Sequence, residues 1–359
     1  VTPASTRRVL ITGGAGFVGG SLAIALAGRH PDWEVVALDN LKRRGSELNL
    51  PRLRAAGAGF VHADVRQLAD LLSLEPVDAI VECSAEPSAL AGYGTDASYV
   101  VDTNLLGAHN CLQLARRDSA QLIFLSTSRV YPFEALDGTA YTEQDTRFEL
   151  ANQQALPGVS AAGISEDFPL AGPRTLYGAT KLAAELLVAE YAHAFGLPTV
   201  IDRCGVIAGP WQMGKVDQGV FTHWMMSHYF GRELRYIGYG GDGKQVRDLL
   251  HVDDLAVLIE DQLVRPEHWD GTTLNVGGGR EFSLSLRETT DICRELTGNS
   301  PDVRASEDTR PGDVRIYVSD CARLWERTDW RPERGPRRVL EDIHTWISQN
   351  ERAVQEALG

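Results

Sequence analysis

The first third of the chain alternates short β-branched apolar runs with stretches of helical period. "RRVLITGG" (7–14) predicts a strand closed by glycines, and "FVGGSLAIALAGRH" (17–30) a helix. "WEVVALDN" (33–40), "GFVHADV" (59–65), "DAIVECSA" (78–85) and "AQLIFLSTS" (120–128) predict further strands, with helices such as "NLLGAHNCLQLARR" (104–117) between them. Alternation of this kind implies right-handed crossovers and a parallel sheet. Strands that are apolar almost throughout imply that helices cover both faces of that sheet. The expected fold class is α/β.

From about Glu134 to Pro173 the period fails, and the stretch is polar, acidic and rich in Gly and Pro. Two readings stand for it: a substrate-side lid or lining, or a disordered segment. "RTLYGATKLAAE" (174–185) then predicts a helix carrying Tyr177 and Lys181 on one face. A strand ("PTVIDRC"), a loop ("GPWQMGKVDQG"), an aromatic helix ("VFTHWMMSHYF") and a Gly-rich turn ("GYGGDGKQ") follow. From about Pro266 short strands and helices mix as a smaller lobe, and no internal repeat is present.

Composition narrows the classes. A chain of 359 residues accommodates one large unit or two lobes, and 43% hydrophobic with 23% charged residues is globular. A net charge of −14 speaks against nucleic acid and acidic membranes as partners, though not against a small anionic ligand. Five cysteines without Cys-x-x-Cys or Cys/His pairing predict reduced thiols in a cytoplasmic protein, and neither a disulfide frame nor a metal site is expected. No apolar run approaches the ~20 residues of a membrane helix, and the first residues do not read as a signal peptide.

Candidate chemistry begins at "LITGGAGFVGG", where Gly13, Gly16 and Gly19 stand as G-x-x-G-x-x-G between a strand and a helix. Glycines there let the backbone turn tightly and bring a helix N-terminus against a pyrophosphate. Asp39 ends the second strand, where a carboxylate binds ribose hydroxyls and repels a 2′-phosphate, so NAD is expected over NADP. Arg43 and Arg44 behind it are either solvated loop residues or phosphate partners. At Tyr177 and Lys181 an ammonium one turn from a phenol favours the phenolate, a usable base. Ser126, Thr127 and Ser128 supply hydroxyls at the end of the fifth strand.

The glycine motif, the Ser/Thr strand end and Tyr-x-x-x-Lys together resemble the extended short-chain dehydrogenase/reductase family over essentially the whole chain. The resemblance implies a doubly wound Rossmann sheet with a smaller mixed α/β C-terminal substrate lobe. Residues 1–202 plus about 249–264 would bind NAD, and 203–248 plus 265–359 the substrate. It implies Tyr177 as acid/base, Lys181 also on the nicotinamide ribose, and Thr127 as the hydroxyl that polarises the reacting oxygen, with Ser128 the fallback. Cofactor contacts would extend to Phe17, Val18, Asn40, Asp64, Val65, Ser84, Ala85 and Asn104.

"GDGKQVRDLLHVDD" and "RPGDVR" look like stretches of nucleotide-sugar members whose arginines grip the diphosphate, here Arg247 and Arg310. A salt bridge of Arg247 with Asp248 or Asp253 is the alternative. "TEQDTRFE", "GISEDFPL", "DQGVFTHW" and "GKQVRDLLH" resemble the CDP-paratose 2-epimerase (CDP-tyvelose epimerase) branch. That likeness adds Ser128, Arg129, Gln212, Asp217, Gln218 and Asp313 to the substrate set. The related dehydratases carry Asp-Glu after the threonine, whereas Ser128 and Arg129 stand here, so dehydration is not expected. The usual histidine-bearing turn after the fourth strand is "ECSAEPS", and "RCGVIAGP" lacks the asparagine many members carry near Val206. His109, His223, His228 and His251 read as packing residues.

The expectation is an NAD-dependent epimerase acting on a nucleotide-diphosphate sugar, CDP-linked by preference, UDP-linked as the alternative, in a homodimer. A UDP-sugar 4-epimerase, a net sugar dehydrogenase or reductase, and a non-catalytic NAD-binding regulator stay open.

Overall fold

The protein is described by a computed structural model over residues 6–94, 96–213, 218–306 and 309–358. The five early apolar runs form β1 (Arg8–Thr12), β2 (Glu34–Asp39), β3 (Gly59–His62), β4 (Ala79–Glu82) and β5 (Gln121–Thr127). With Thr199–Cys204 and Thr272–Val276 they make a seven-stranded sheet, ordered Thr272–Val276, Thr199–Cys204, β5, β4, β1, β2, β3. Every pairing is parallel.

Successive strand residues point to opposite faces, and each face has its own core. Val9, Ile11, Ile123 and Val200 pack with Leu255, Leu258 and Ile259 of the Val252–Val264 helix. Leu10, Val36, Leu122 and Phe124 pack with Leu112, Ala184 and Val188. Each such side chain contributes roughly 1.5–3 kcal/mol on burial, and all seven residues of β5 are buried. The strand order reverses between β1 and β4, and the crevice beyond their C-terminal ends is where such sheets take ligands.

A second sheet joins Val206–Ala208, Val246–His251, Ser283–Ser285 and Ile316–Tyr317, and Leu234–Ile237 pairs with Val303–Ser306. Its core includes Phe221, Met225, Met226, Ile343 and Ile347, so the aromatic helix Val220–Tyr229 is largely interior. The lobe boundary differs from the expected one. Thr272–Val276 falls inside the 265–359 segment assigned to the substrate side, yet it is the edge strand of the large sheet, with Val200 opposite Thr272. The Val252–Val264 helix is the crossover that returns the chain there.

Residues 134–173 are ordered. They form two small hairpins, Tyr141–Glu143 with Phe148–Leu150 and Val159–Ser160 with Gly163–Ile164. Phe148, Leu150, Ile164 and Phe168 pack on Val130, Tyr131 and Tyr317. Backbone bonds from Phe148 to Lys244 (3.0 Å) and from Ile164 to Val318 (2.8 Å) seam the segment to the substrate side. Among the described residues no helix is long and apolar enough to cross a membrane. The five cysteines are free thiols.

Candidate functional site

Two cavities open at the C-terminal end of the sheet. The first, about 550 Å³, is walled by the glycine turn, the ends of β2 and β4 and the start of the helix α1 (Phe17–Arg29). Gly13 has φ +60°, and a Cβ on it would lie 2.9 Å from the Cys83 carbonyl oxygen. A Cβ on Gly19 would lie 2.4 Å from the Gly13 carbonyl oxygen. Glycine is therefore required for the turn to close and for the helix to start against it. Asp39 accepts from the Ala15 N–H (3.1 Å) and the Leu41 N–H (2.8 Å), and burial pushes its carboxyl up against the pull of those bonds. Gly16, Phe17, Val18, Asn40, Val65, Ser84 and Ala85 also line this cavity. A glycine turn that a Cβ would force open, a helix N-terminus and a strand-end carboxylate together suit a dinucleotide.

Two residues expected on the cofactor, Asp64 and Asn104, are not among those lining this cavity. Asp64 is held by Arg66 at 2.6 Å, which keeps its carboxyl well below the usual range, and it accepts from Asn40 at 3.0 Å. It thus orders Asn40 and does not line the cavity. Asn104 is buried, accepts from the Glu86 N–H (2.8 Å) and donates to Thr180 (3.1 Å), fastening the turn after β4 to the Tyr–Lys helix. Lys42, Arg43 and Arg44 all reach the cavity wall. Arg43 donates to the Met213 carbonyl (3.3 Å) and Arg44 to that of Glu356 (2.5 Å), so one braces a distant loop and the other the C-terminal helix Glu351–Leu358.

The Tyr–Lys helix runs Leu176–Phe195, capped by the Thr175 hydroxyl on the Gly178 N–H and ended by Gly196 at φ +65°. Tyr177 and Thr127 lie on the wall shared by the first cavity and a second one of about 680 Å³. Burial pushes the Tyr177 phenol up to about 12, while a hydrogen bond with Thr127 and the charge of Arg129 pull it down. Gly178 fixes this proximity: a Cβ there would lie 2.1 Å from the Arg129 carbonyl oxygen, so only glycine lets the turn after β5 seat beside Tyr177. The Lys181 ammonium is buried, 3.4 Å from Glu82 and 3.9 Å from the centre of the Phe124 ring.

The second cavity is walled by Ser128, Arg129, Gln212, Gln218, Arg247, Arg310 and Asp313, bringing together the described part of the expected substrate set. Asp217 lies outside the described residues. Arg247 is bonded to Asp313 at 2.8 Å and to the Val314 carbonyl at 2.7 Å, and neither Asp248 nor Asp253 is its partner. Asp248 is buried beside Gly205 and Gly277, and Asp253 faces His251. Glu233, Arg235 and Gln245 also line the cavity, and so does His223, which the sequence suggests as a packing residue. His109, His228 and His251 bond to neighbouring groups away from it. Trp224 donates to Thr290 (2.8 Å) and stacks on Tyr236 while presenting an edge to the cavity. No residue of 134–173 lines either large cavity, which corrects the lid reading. That segment braces the site from outside, where Asn275 accepts from Tyr131 (2.8 Å) and donates to the Ile164 carbonyl (2.8 Å).

Residues 9–277 match the model of the NAD dependent epimerase/dehydratase family. The chain is 29% identical to a CDP-paratose 2-epimerase of Salmonella typhi, over 95% of this chain and 99% of that one. It is also 29% identical to a dTDP-glucose 4,6-dehydratase of Streptomyces antibioticus, over 98% and 95% of the two chains. Among solved structures it superposes on the UDP-glucose 4-epimerase of Thermus thermophilus in complex with NAD. That match has a TM-score of 0.75 and 26% identity, covering 95% of this chain and 99% of that one.

Proposed function

Because the chain belongs to the NAD dependent epimerase/dehydratase family, we propose that it inverts one carbon of a nucleotide-diphosphate sugar, CDP-linked by preference, with Tyr177 as acid/base. The observation that carries the reading is the position of Tyr177 and Thr127 on the wall common to a dinucleotide-shaped cavity and a second, arginine-lined one. NAD fits the first through the glycine cradle, the α1 N-terminus and Asp39, and when bound it supplies a hydride acceptor and donor.

The chain's own residues do the rest. Tyr177 as phenolate takes the proton of a sugar hydroxyl as the carbon bearing it gives up hydride, leaving a ketone. Thr127 bonds the reacting oxygen, and Lys181 would reach the nicotinamide ribose. The keto sugar then presents its other face, takes the hydride back and recovers the proton from Tyr177. No net oxidation results. Arg247 and Arg310 grip the diphosphate, while Ser128, Arg129, Gln212 and Gln218 contact the sugar.

The relatives include an epimerase and a dehydratase at equal identity, so the residues beside Thr127 must discriminate. Elimination of water needs an acid and a base there; a hydroxyl and a guanidinium stand instead, and the nearby Asp313 is engaged by Arg247. That supports epimerisation. We further propose a homodimer in the cytoplasm.

The test is turnover of CDP-, UDP-, GDP- and dTDP-sugars in deuterated water, with products resolved by NMR. Inversion without deuterium at the inverted carbon and without added cofactor is expected. Stoichiometric consumption of external NAD would replace the epimerase with a dehydrogenase, and inversion at C4 of a UDP-sugar would replace the CDP assignment.

A further inference from the structure

Glu82, at the end of β4, is a carboxylate enclosed on all sides under the reacting centre. One oxygen lies 3.4 Å from the Lys181 ammonium, and the other has no hydrogen-bond partner among the described residues. Both side chains are nearly inaccessible, with exposures of 2% for Lys181 and 1% for Glu82. Burial pushes the Glu82 carboxyl up and the Lys181 ammonium draws it down; ionised, it cancels much of the field that so weakly screened an ammonium would send toward Tyr177. Arg129 is differently placed. Its backbone is locked against Gly178, its guanidinium donates to the Gly312 carbonyl (2.7 Å), and among the described residues no carboxylate is within ion-pair distance of it. It shares the substrate-side wall with Tyr177.

We propose that Glu82 is a positioning residue that holds and charge-compensates Lys181, leaving Arg129 as the uncompensated cation beside the Tyr177 hydroxyl. The proposal rests on the reading of Tyr177 as acid/base and adds the division of labour between the two cations around it. The other groups facing this cluster do not offset the assignment. Cys83 on the same turn and Cys111 on the Gly107–Asp118 helix have thiols pushed well up by burial, and so does Cys204 beside Tyr177. Thr12 on the adjoining β1 does not titrate. Asp313 and Arg247, near Arg129, are paired with each other. The Tyr177 phenol itself is raised by Glu82 and lowered by Arg129, in agreement with the geometry.

The test reads opposite signs. Activity rises with pH as the phenol ionises. Glu82→Gln is expected to move that limb to lower pH by about one unit, and Arg129→Met to move it up by a similar amount. Tyrosinate absorbance, taken as the difference between each variant and the same variant carrying Tyr177→Phe, should show the same two shifts without substrate or turnover. Limbs that stay in place in both variants, or move together, overturn the proposal. A merely structural Glu82 would lower stability and leave the limb unmoved. Should Glu82→Gln not fold, Glu82→Asp withdraws the carboxylate and should shift the limb the same way by less; an unshifted profile overturns the proposal equally. Failure of the parent to invert any nucleotide sugar would instead strike the epimerase reading, while the absorbance titration still decides the roles of Glu82 and Arg129.

Discussion

On one side of Tyr177 the cavity is organised by a single glycine turn; on the other it is gathered from side chains of separate segments. Gly13, Gly16 and Gly19 come from a single turn, and what they contribute is the absence of a Cβ. The second wall gathers His223, Arg235 and Arg247 from a helix and two strands, and Gln212 and Arg310 from separate loops. A cofactor common to many chemistries can be met by a fixed backbone shape. A sugar nucleotide has to be distinguished from its relatives, which takes side chains from several directions. Tyr177 and Thr127 belong to both walls, and removing the phenol should cost most. Tyr177→Phe is expected to lower kcat by about 10²–10⁴, the range of acid–base catalysis, while leaving NAD bound and the melting temperature close to the parent's. Retention of NAD with loss of turnover would show that the two walls separate at this hydroxyl; near-normal turnover would remove Tyr177 from its role.

The backbone side breaks differently. Gly19→Ala places a methyl 2.4 Å from the Gly13 carbonyl oxygen, and neither backbone can retreat without opening the turn. A destabilisation of about 1–3 kcal/mol with loss of co-purifying NAD is expected, checked by thermal melts and by nucleotide released on denaturation. The same change at Gly28, whose Cβ would meet nothing within 4 Å, should leave NAD binding intact and serves as the control. On the side-chain wall Arg247→Lys should leave folding and NAD untouched and raise KM about tenfold with kcat little changed, because a lysine cannot reproduce the guanidinium fork. A drop in kcat at constant KM would mean that Arg247 acts on the reacting carbon and not on the diphosphate.

This contrast also explains what could be read in advance. The sheet, the glycine cradle, Asp39 and the Tyr–Lys pair were legible because each is a short pattern whose physical requirement is local: an apolar run, a missing Cβ, a four-residue step on a helix. Asp64 and Asn104 sit among sequence neighbours that line the cavity, and only three-dimensional packing shows their bonds to Arg66 and to Glu86. Gly178 carried a signal that was available but unread, a glycine immediately after the tyrosine in a helix, where its conformational cost requires a reason. Residues 134–173 have no period because their hairpins are short and their apolar residues point into a core supplied by other segments. Glu82 could not be assigned at all, since its partner lies on a distant helix.

A last effect is expected where the two halves share a strand. Asp202 sits in Thr199–Cys204 just before Gly205, which lines both cavities. It is wholly buried, one oxygen accepting from Gln262 at 3.0 Å and the other without a partner among the described residues, and burial pushes its carboxyl up to about 7. A carboxyl raised in the folded state holds its proton more tightly than in the unfolded chain. The penalty is therefore absent below the unfolded value near 4, grows as pH rises, and is complete above about 7. Asp202→Asn removes the titration without changing the shape. Its stability relative to the parent should improve by roughly 2–3 kcal/mol between pH 5 and pH 8.5, read from denaturant melts at the two pH values. Asp248, pushed up to about 6 by burial, contributes the same trend to both proteins and cancels in the difference. A gap independent of pH would mean that water or a rearranged Gln262 already stabilises the carboxylate, and the strand joining the two walls would then be less tightly closed than its packing implies.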